Sequence, residues 1–161
     1  MEDAANEKQI KKIVAPTKIF PVPLDMGEMK ENISIYTNSA QQVSQEQILS
    51  QALSFHSKGK TSKAAEYYQY LIGQGFKNDR VFCNYGVILE NLGKLEEAEL
   101  STRKAIELNP NYVMAHSNLG NILRELGNLK EAELSTRKAI ELNPNYVMAH
   151  SNLGNILREL G

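Results

Sequence analysis

Residues Glu97 to Gly127 recur without a single change as Glu131 to Gly161, an offset of 34 positions. The repeated string is EAELSTRKAIELNPNYVMAHSNLGNILRELG. A period of this size means stacked supersecondary units, each of which buries its apolar face only against its neighbours. Such arrays serve as binding surfaces more often than as catalytic pockets.

Running the period back along the chain gives three full units, 45–78, 79–112 and 113–146, and a half unit, 147–161. Each full unit reads as two helices. In the third, Leu119, Ile122, Leu123 and Leu126 fall at helical spacing, which predicts a first helix over Val113 to Glu125. Gly127 ends it, as glycine does after a last helical turn. Leu129, Ala132, Ala139, Ile140 and Leu142 predict a second helix over Leu129 to Leu142, stopped by Asn143-Pro144-Asn145. Ala52, Gly86, Gly120 and Gly154 share one frame position, and Ala64, Ala98 and Ala132 share another. Small side chains there let two helices approach closely.

The first 43 residues carry no helical period. Pro16, Pro21 and Pro23 break helices and favour extended backbone. Residues 1–43 are therefore expected to be a disordered or extended leader. Its apolar stretch offers a sharper alternative, in which Ile19, Phe20 and Val22 dock on the first unit or on a partner. Order is expected to return at Ser44, where Ser44-Gln45-Glu46-Gln47 has the capping-box form.

Composition narrows the function classes. The formal net charge is −1, so no overall field favours nucleic acid or an anionic membrane, and neither is expected as a partner. No apolar run is long enough to span a bilayer, and the N-terminus lacks the apolar core of a secretory signal. A single cysteine, Cys83, allows no internal disulfide and fits a reducing, cytoplasmic setting. Cys83 is expected to be small and semi-buried. No phosphate loop, nucleophile elbow or metalloprotease motif occurs, so neither enzymatic activity nor a cofactor is expected. His116 and His150 are copies of one position, placed at the helix–helix packing surface without a third ligand, so no metal is expected.

Placed in frame, the chain resembles the tetratricopeptide repeat. The family's small residue at position 8, its alanines at 20 and 27 and its proline at 32 are Gly86, Ala98, Ala105 and Pro110, and again Gly120, Ala132, Ala139 and Pro144. The resemblance covers about residues 45 to 161. It departs at position 4, which holds Ile48, Phe82, His116 and His150, and at position 24, where Tyr68 gives way to Thr102 and Thr136. It implies an all-α fold, a right-handed α-solenoid of antiparallel helix pairs with three repeats plus a half repeat. It also implies a concave groove lined by the first helix of each unit.

The family's ligand-facing positions then become Met114, Ser117, Asn118, Asn121, Arg124 and Glu125 in the third unit. Met148, Ser151, Asn152, Asn155, Arg158 and Glu159 follow in the fourth, and Arg80, Cys83, Asn84, Val87, Glu90 and Asn91 precede in the second. Asn84, Asn118 and Asn152 form an asparagine ladder similar to that in the repeat arm of O-linked N-acetylglucosamine transferase. A carboxamide can pair with both the N–H and the C=O of a peptide. The family's clamp for chaperone tails is not matched, because Met114 and Asn118 stand at its cationic positions and Leu49 and Leu53, or Cys83 and Val87, at its lysine/asparagine pair.

The expected function is a protein-interaction scaffold whose groove holds an extended peptide or partner segment. The alternatives are a substrate-recognition arm of a larger glycosyltransferase- or sulfotransferase-like enzyme, and a self-assembling structural repeat. The sequence stops after a first helix, so Leu153, Ile156, Leu157 and Leu160 are expected to lack cover. A truncated array is one reading; weak homodimerisation through that helix, or its fraying, is the expected consequence.

Overall fold

The structure, a computed structural model, describes residues 44–161. The expectations for the leader, including Ile19, Phe20 and Val22, lie outside the described residues. Among these residues there are seven helices and no strand: α1 (Gln45–Ser57), α2 (Thr61–Gly73), α3 (Asp79–Asn91), α4 (Leu95–Leu108), α5 (Val113–Glu125), α6 (Leu129–Leu142) and α7 (Val147–Leu160). The two helices expected in the third unit coincide with α5 and α6.

Local chemistry sets the helix ends. Ser44 Oγ accepts from the Gln47 N–H at 3.2 Å, and Gln47 Oε1 accepts from the Ser44 N–H at 2.9 Å. This capping box satisfies two donors that the first turn of α1 would otherwise leave open. Asn78 Oδ1 does the same for α3, accepting from the N–H groups of Arg80 and Val81. Gly127 turns the chain after α5 with a φ of 79°, a left-handed conformation in which a Cβ is strained.

The helices pair as α1–α2, α3–α4 and α5–α6, and each second helix also packs on the first helix of the next unit. First helices of successive units touch as well, α3 with α5 and α5 with α7. The result is an all-α helical-repeat solenoid with one face built from first helices. Its core is continuous across units. Phe82, Cys83, Ala105 and Ala115 form one buried cluster, flanked by Ile72 and Tyr112 from elements on either side. Leu119, Leu123, Ala132 and Ile156 form the next.

Position 8 shows why small residues recur. A Cβ on Gly86 would collide with Thr102 Oγ1 and come within 3.3 Å of the Ala98 carbonyl oxygen. Gly120 meets Thr136 and the Ala132 carbonyl in the same way. In the first unit the partner is the fully buried Tyr68, and position 8 is Ala52, also fully buried. Around Gly154 no atom lies within 4 Å of the Cβ position, so the identical sequence meets open space there.

On α7 the cover expected to be missing is missing in part. Leu157 and Leu160 are 42% and 39% exposed. Ile156, grouped with them at the outset, is fully buried instead. It inserts between α5 and α6 against Leu119, Leu123 and Ala132.

Candidate functional site

The face of first helices contains a cleft of about 310 Å³ lined by Leu53, His56, Ser57, Arg80, Asn84, Tyr112 and Met114. Three successive first helices contribute to it. Leu53, His56 and Ser57 come from the last turns of α1, Arg80 and Asn84 from the first turns of α3, and Met114 from the start of α5. Tyr112 precedes α5 and adds aromatic surface to the lining. Met114 is 39% exposed. His56 has its ring edge-on to Tyr68, with Nδ1 at 3.4 Å from the Tyr68 hydroxyl, and burial lowers its pKa. Burial pushes the Tyr112 phenol up to about 12. Both groups are therefore uncharged at neutral pH, which leaves Arg80 as the charged member of the lining.

Two of the three asparagines of the expected ladder, Asn118 and Asn152, do not stand free in the groove. Asn118 is buried, and its Nδ2 donates to Cys83 Sγ at 3.5 Å. Asn152 Nδ2 donates to both the carbonyl and the hydroxyl oxygen of Ser117, at 3.3 Å each. Burial raises the pKa of the Tyr68 phenol, and the nearby Asn84 carboxamide partly offsets this. The Asn118 and Asn152 carboxamides thus each tie their unit to the preceding one. Ser117, expected in the groove, is fully buried at this junction. Cys83 is fully buried as well, not semi-buried, and burial pushes its thiol up to about 11. Neither residue can meet a ligand. The physical reason is that first helices of neighbouring units contact one another along this edge, so position 5 faces the next helix and not the solvent.

Further along the same face lies a polar chain that also bridges units. Asn121 Nδ2 donates to the carboxylates of Glu90 and Glu125, and Arg124 Nη2 donates to Asn121 Oδ1 at 3.1 Å. Arg124 Nη1 then pairs with Glu159 at 2.9 Å. Burial raises the pKa of Glu90. Arg158 donates to Asn155 Oδ1 at 3.0 Å within α7. Val87 and Asn155 are half-buried, and Met148 is 55% exposed.

His116 and His150 do not pack between helices as expected. His116 Nε2 lies 2.9 Å from the Pro110 carbonyl oxygen, and His150 Nε2 lies 2.7 Å from that of Pro144. A carbonyl only accepts, so Nε2 carries the proton and each ring latches the turn before its own helix. Among the described residues no three potential metal ligands cluster, and no helix is long and apolar enough to cross a membrane.

Family models described as tetratricopeptide repeat match residues 79–112, 113–146 and 136–161, together half of the chain. The chain belongs to the tetratricopeptide-repeat family. No curated protein sequence matches it. Among solved structures, it is similar to the first tetratricopeptide domain of Spaghetti (RPAP3) bound to the HSP90 peptide SRMEEVD. The TM-score is 0.66 and the identity 26%, over 70% of this chain and 90% of that one. It is similar to the second such domain of human RPAP3 in complex with the HSP70 peptide SGPTIEEVD, with a TM-score of 0.61 and 28% identity, over 66% of this chain and 89% of that one. It is also similar to a mutant of Thermobaculum terrenum O-GlcNAc transferase, with a TM-score of 0.66 and 26% identity. That match covers 70% of this chain but 22% of the transferase.

Within the tetratricopeptide frame, Leu53, His56 and Ser57 occupy positions 9, 12 and 13 of the first unit. The same rule that selected Val87, Asn121 and Arg124 selects them, but the divergence of that unit obscured it. Tyr112 closes its unit at position 34, outside the ligand-facing set, and only the turn before α5 brings it into the cleft.

Proposed function

We propose that this chain is a non-catalytic protein-interaction scaffold whose face of first helices holds an extended peptide. The observation that carries this is the cleft itself, assembled from α1, α3 and α5 at frame positions 2, 6, 9, 12 and 13. Its walls combine aliphatic, thioether and aromatic surface with a few fixed polar groups, the usual make-up of a recognition site. Peptide complexes of two relatives support the same use of the fold. Their chaperone-tail specificity does not transfer, because Met114 replaces a cation of the clamp.

In this reading Asn84, Met114, Asn121, Arg124, Met148, Asn155 and Arg158 line the path of the peptide. Asn118 and Asn152 take a narrower part than a free carboxamide would. Their Nδ2 groups are committed between units, which leaves Oδ1 to accept from a peptide N–H. Affinity for a short peptide is expected between roughly micromolar and millimolar, about 4 to 8 kcal/mol. The test is an NMR titration with a mixed library of capped peptides. Shifts should cluster on the inner faces of α1, α3 and α5. Shifts confined to α2, α4 and α6 would sink the proposal.

The likeness to the O-GlcNAc transferase favours a second reading, in which the same face delivers protein substrates to a catalytic domain of a longer polypeptide. The mass of the protein isolated from its natural source decides this. A polypeptide of these 161 residues alone removes it.

A further inference from the structure

We infer that the Arg80 cleft selects an extended peptide segment carrying an internal acidic side chain flanked by aliphatic residues. This rests on the groove reading and adds its ligand chemistry. The lining of the cleft contains one guanidinium and no carboxylate. Arg80 is exposed, and among the described residues it enters no ion pair. Its neighbour in sequence, Asp79, makes no ion pair with the guanidinium; Asp79 Oδ1 accepts from the Arg80 backbone N–H at 2.9 Å and Oδ2 from Asn109 Nδ2 at 2.7 Å. Glu46, at position 2 of the preceding first helix, makes no ion pair with it either.

The contrast with Arg124 sharpens the assignment. Arg124 occupies the same face and is already paired with Glu159, with Glu125 a further 3.6 Å contact. The carboxylates of Glu90, Glu125 and Glu159 gather at that end. One end of the face therefore presents an open cation, and the other presents carboxylates with their own cation in place. A peptide carboxylate is accepted at the first end and repelled at the second. Asn84, one turn along α3 from Arg80, adds a carboxamide beside the guanidinium, and charge-assisted hydrogen bonds of this kind are the stronger sort. Leu53 and Met114 on either side supply the apolar surface for flanking aliphatic side chains.

An internal side chain fits better than a chain terminus. The face continues past Met114 along α5 and α7, so the peptide runs on. A terminal carboxylate would also want a second cation, and Met114 stands in its place.

The experiment uses the full chain and fluorescence anisotropy with four peptides. Three are capped at both ends: Ser-Leu-Asp-Leu-Ser, its Asn counterpart and its Lys counterpart. The fourth is the Asn peptide with a free C-terminal carboxylate. NMR shift mapping on the same samples reports where each binds. The Asp peptide is expected to bind about tenfold more tightly than the Asn peptide. Arg80→Gln should erase that difference, and Arg80→Glu should transfer the preference to the Lys peptide. Equal binding of the Asp and Asn peptides at the cleft overturns the acidic preference and leaves the groove reading intact. Tighter binding of the free-carboxylate peptide overturns the assignment to a side chain. No inner-face shift with any peptide overturns both the preference and the groove.

Discussion

The side chain of Asn152 reaches 35 positions back to Ser117 and bonds both its hydroxyl and its carbonyl oxygen. Asn118 stands in the same relation to Cys83. These are inter-unit bonds made by residues that look, from type alone, like ligand contacts. Asn118→Ala should destabilise the array by about 1 to 2 kcal/mol, since it removes the donor of a buried pair and leaves space behind it. Asn152→Ala should cost less, because its site is half-buried. Urea melts of both variants check this; equal losses would contradict it.

Gly120 and Gly154 share a sequence context but not an environment. Gly120→Ala should destabilise by about 1 to 3 kcal/mol through its collision with Thr136 Oγ1. Gly154→Ala meets nothing and should stabilise α7 by about 0.5 to 1 kcal/mol, because alanine restricts the unfolded chain and favours helix. Opposite signs in thermal melts are the expected result. Adding Thr136→Ala to Gly120→Ala should recover part of the loss, a coupling that a double-mutant cycle measures directly.

Thr102 and Thr136 are fully buried, and their hydroxyl oxygens have no hydrogen-bond partner. Replacing either with valine removes a polar atom that the fold leaves unsatisfied. Each variant should be more stable by about 1 kcal/mol. A lower denaturation midpoint for both would show that the hydroxyl is bonded in solution.

Cys83 gives the array a pH dependence at the alkaline end. Its thiol is held at about 11 in the fold, against 9.0 ordinarily. The raised value means that the unfolded chain loses this proton first. The contribution is therefore present in full below pH 9 and is lost as pH rises towards 11. Cys83→Ser keeps a hydrogen-bonding atom but does not titrate there. The stability difference between wild type and this variant should shrink or reverse across that window. A difference flat from neutral to strongly alkaline pH would count against a buried thiol.

Exposed Leu157 and Leu160 on α7 carry the expectation of weak self-association. Light scattering over a concentration series should show mass rising with concentration, and the double change to lysine should abolish it. A strict monomer throughout would end the idea.

Much of the fold was legible because punctuation and period agree. Gly127 and the Asn143-Pro144-Asn145 turn bracket α6 on both sides, and the helical spacing of Leu119, Ile122 and Leu123 fills α5 between turns. The identical copies fixed the frame, and the frame placed Asn84 and Met114 on the face where the cleft lies. What the frame could not show was which edge of each first helix meets the next unit. Ser117 and Asn118 are polar, and polar residues are mostly exposed, so their burial was invisible until both partners of each bond were located. Ile156 was misjudged for the converse reason, as the packing of α7 on α5 and α6 depends on geometry that spacing does not encode. The histidine latches were missed because the acceptor, a carbonyl six residues earlier, has no sequence signature.

The junction between units has a plug on one side and a socket on the other. The plug is an asparagine, and the socket is the serine or cysteine one place earlier in the preceding first helix. A unit with both parts can be inserted, removed or multiplied without redesigning its neighbours, which is how an exact duplication could be absorbed at no cost in fit. The first unit lacks the socket, since Leu49 stands there and offers Asn84 no side-chain acceptor. Chimaeras that lengthen the array should therefore be spliced after α3, where the joint is generic, and never between α2 and α3, where it is bespoke.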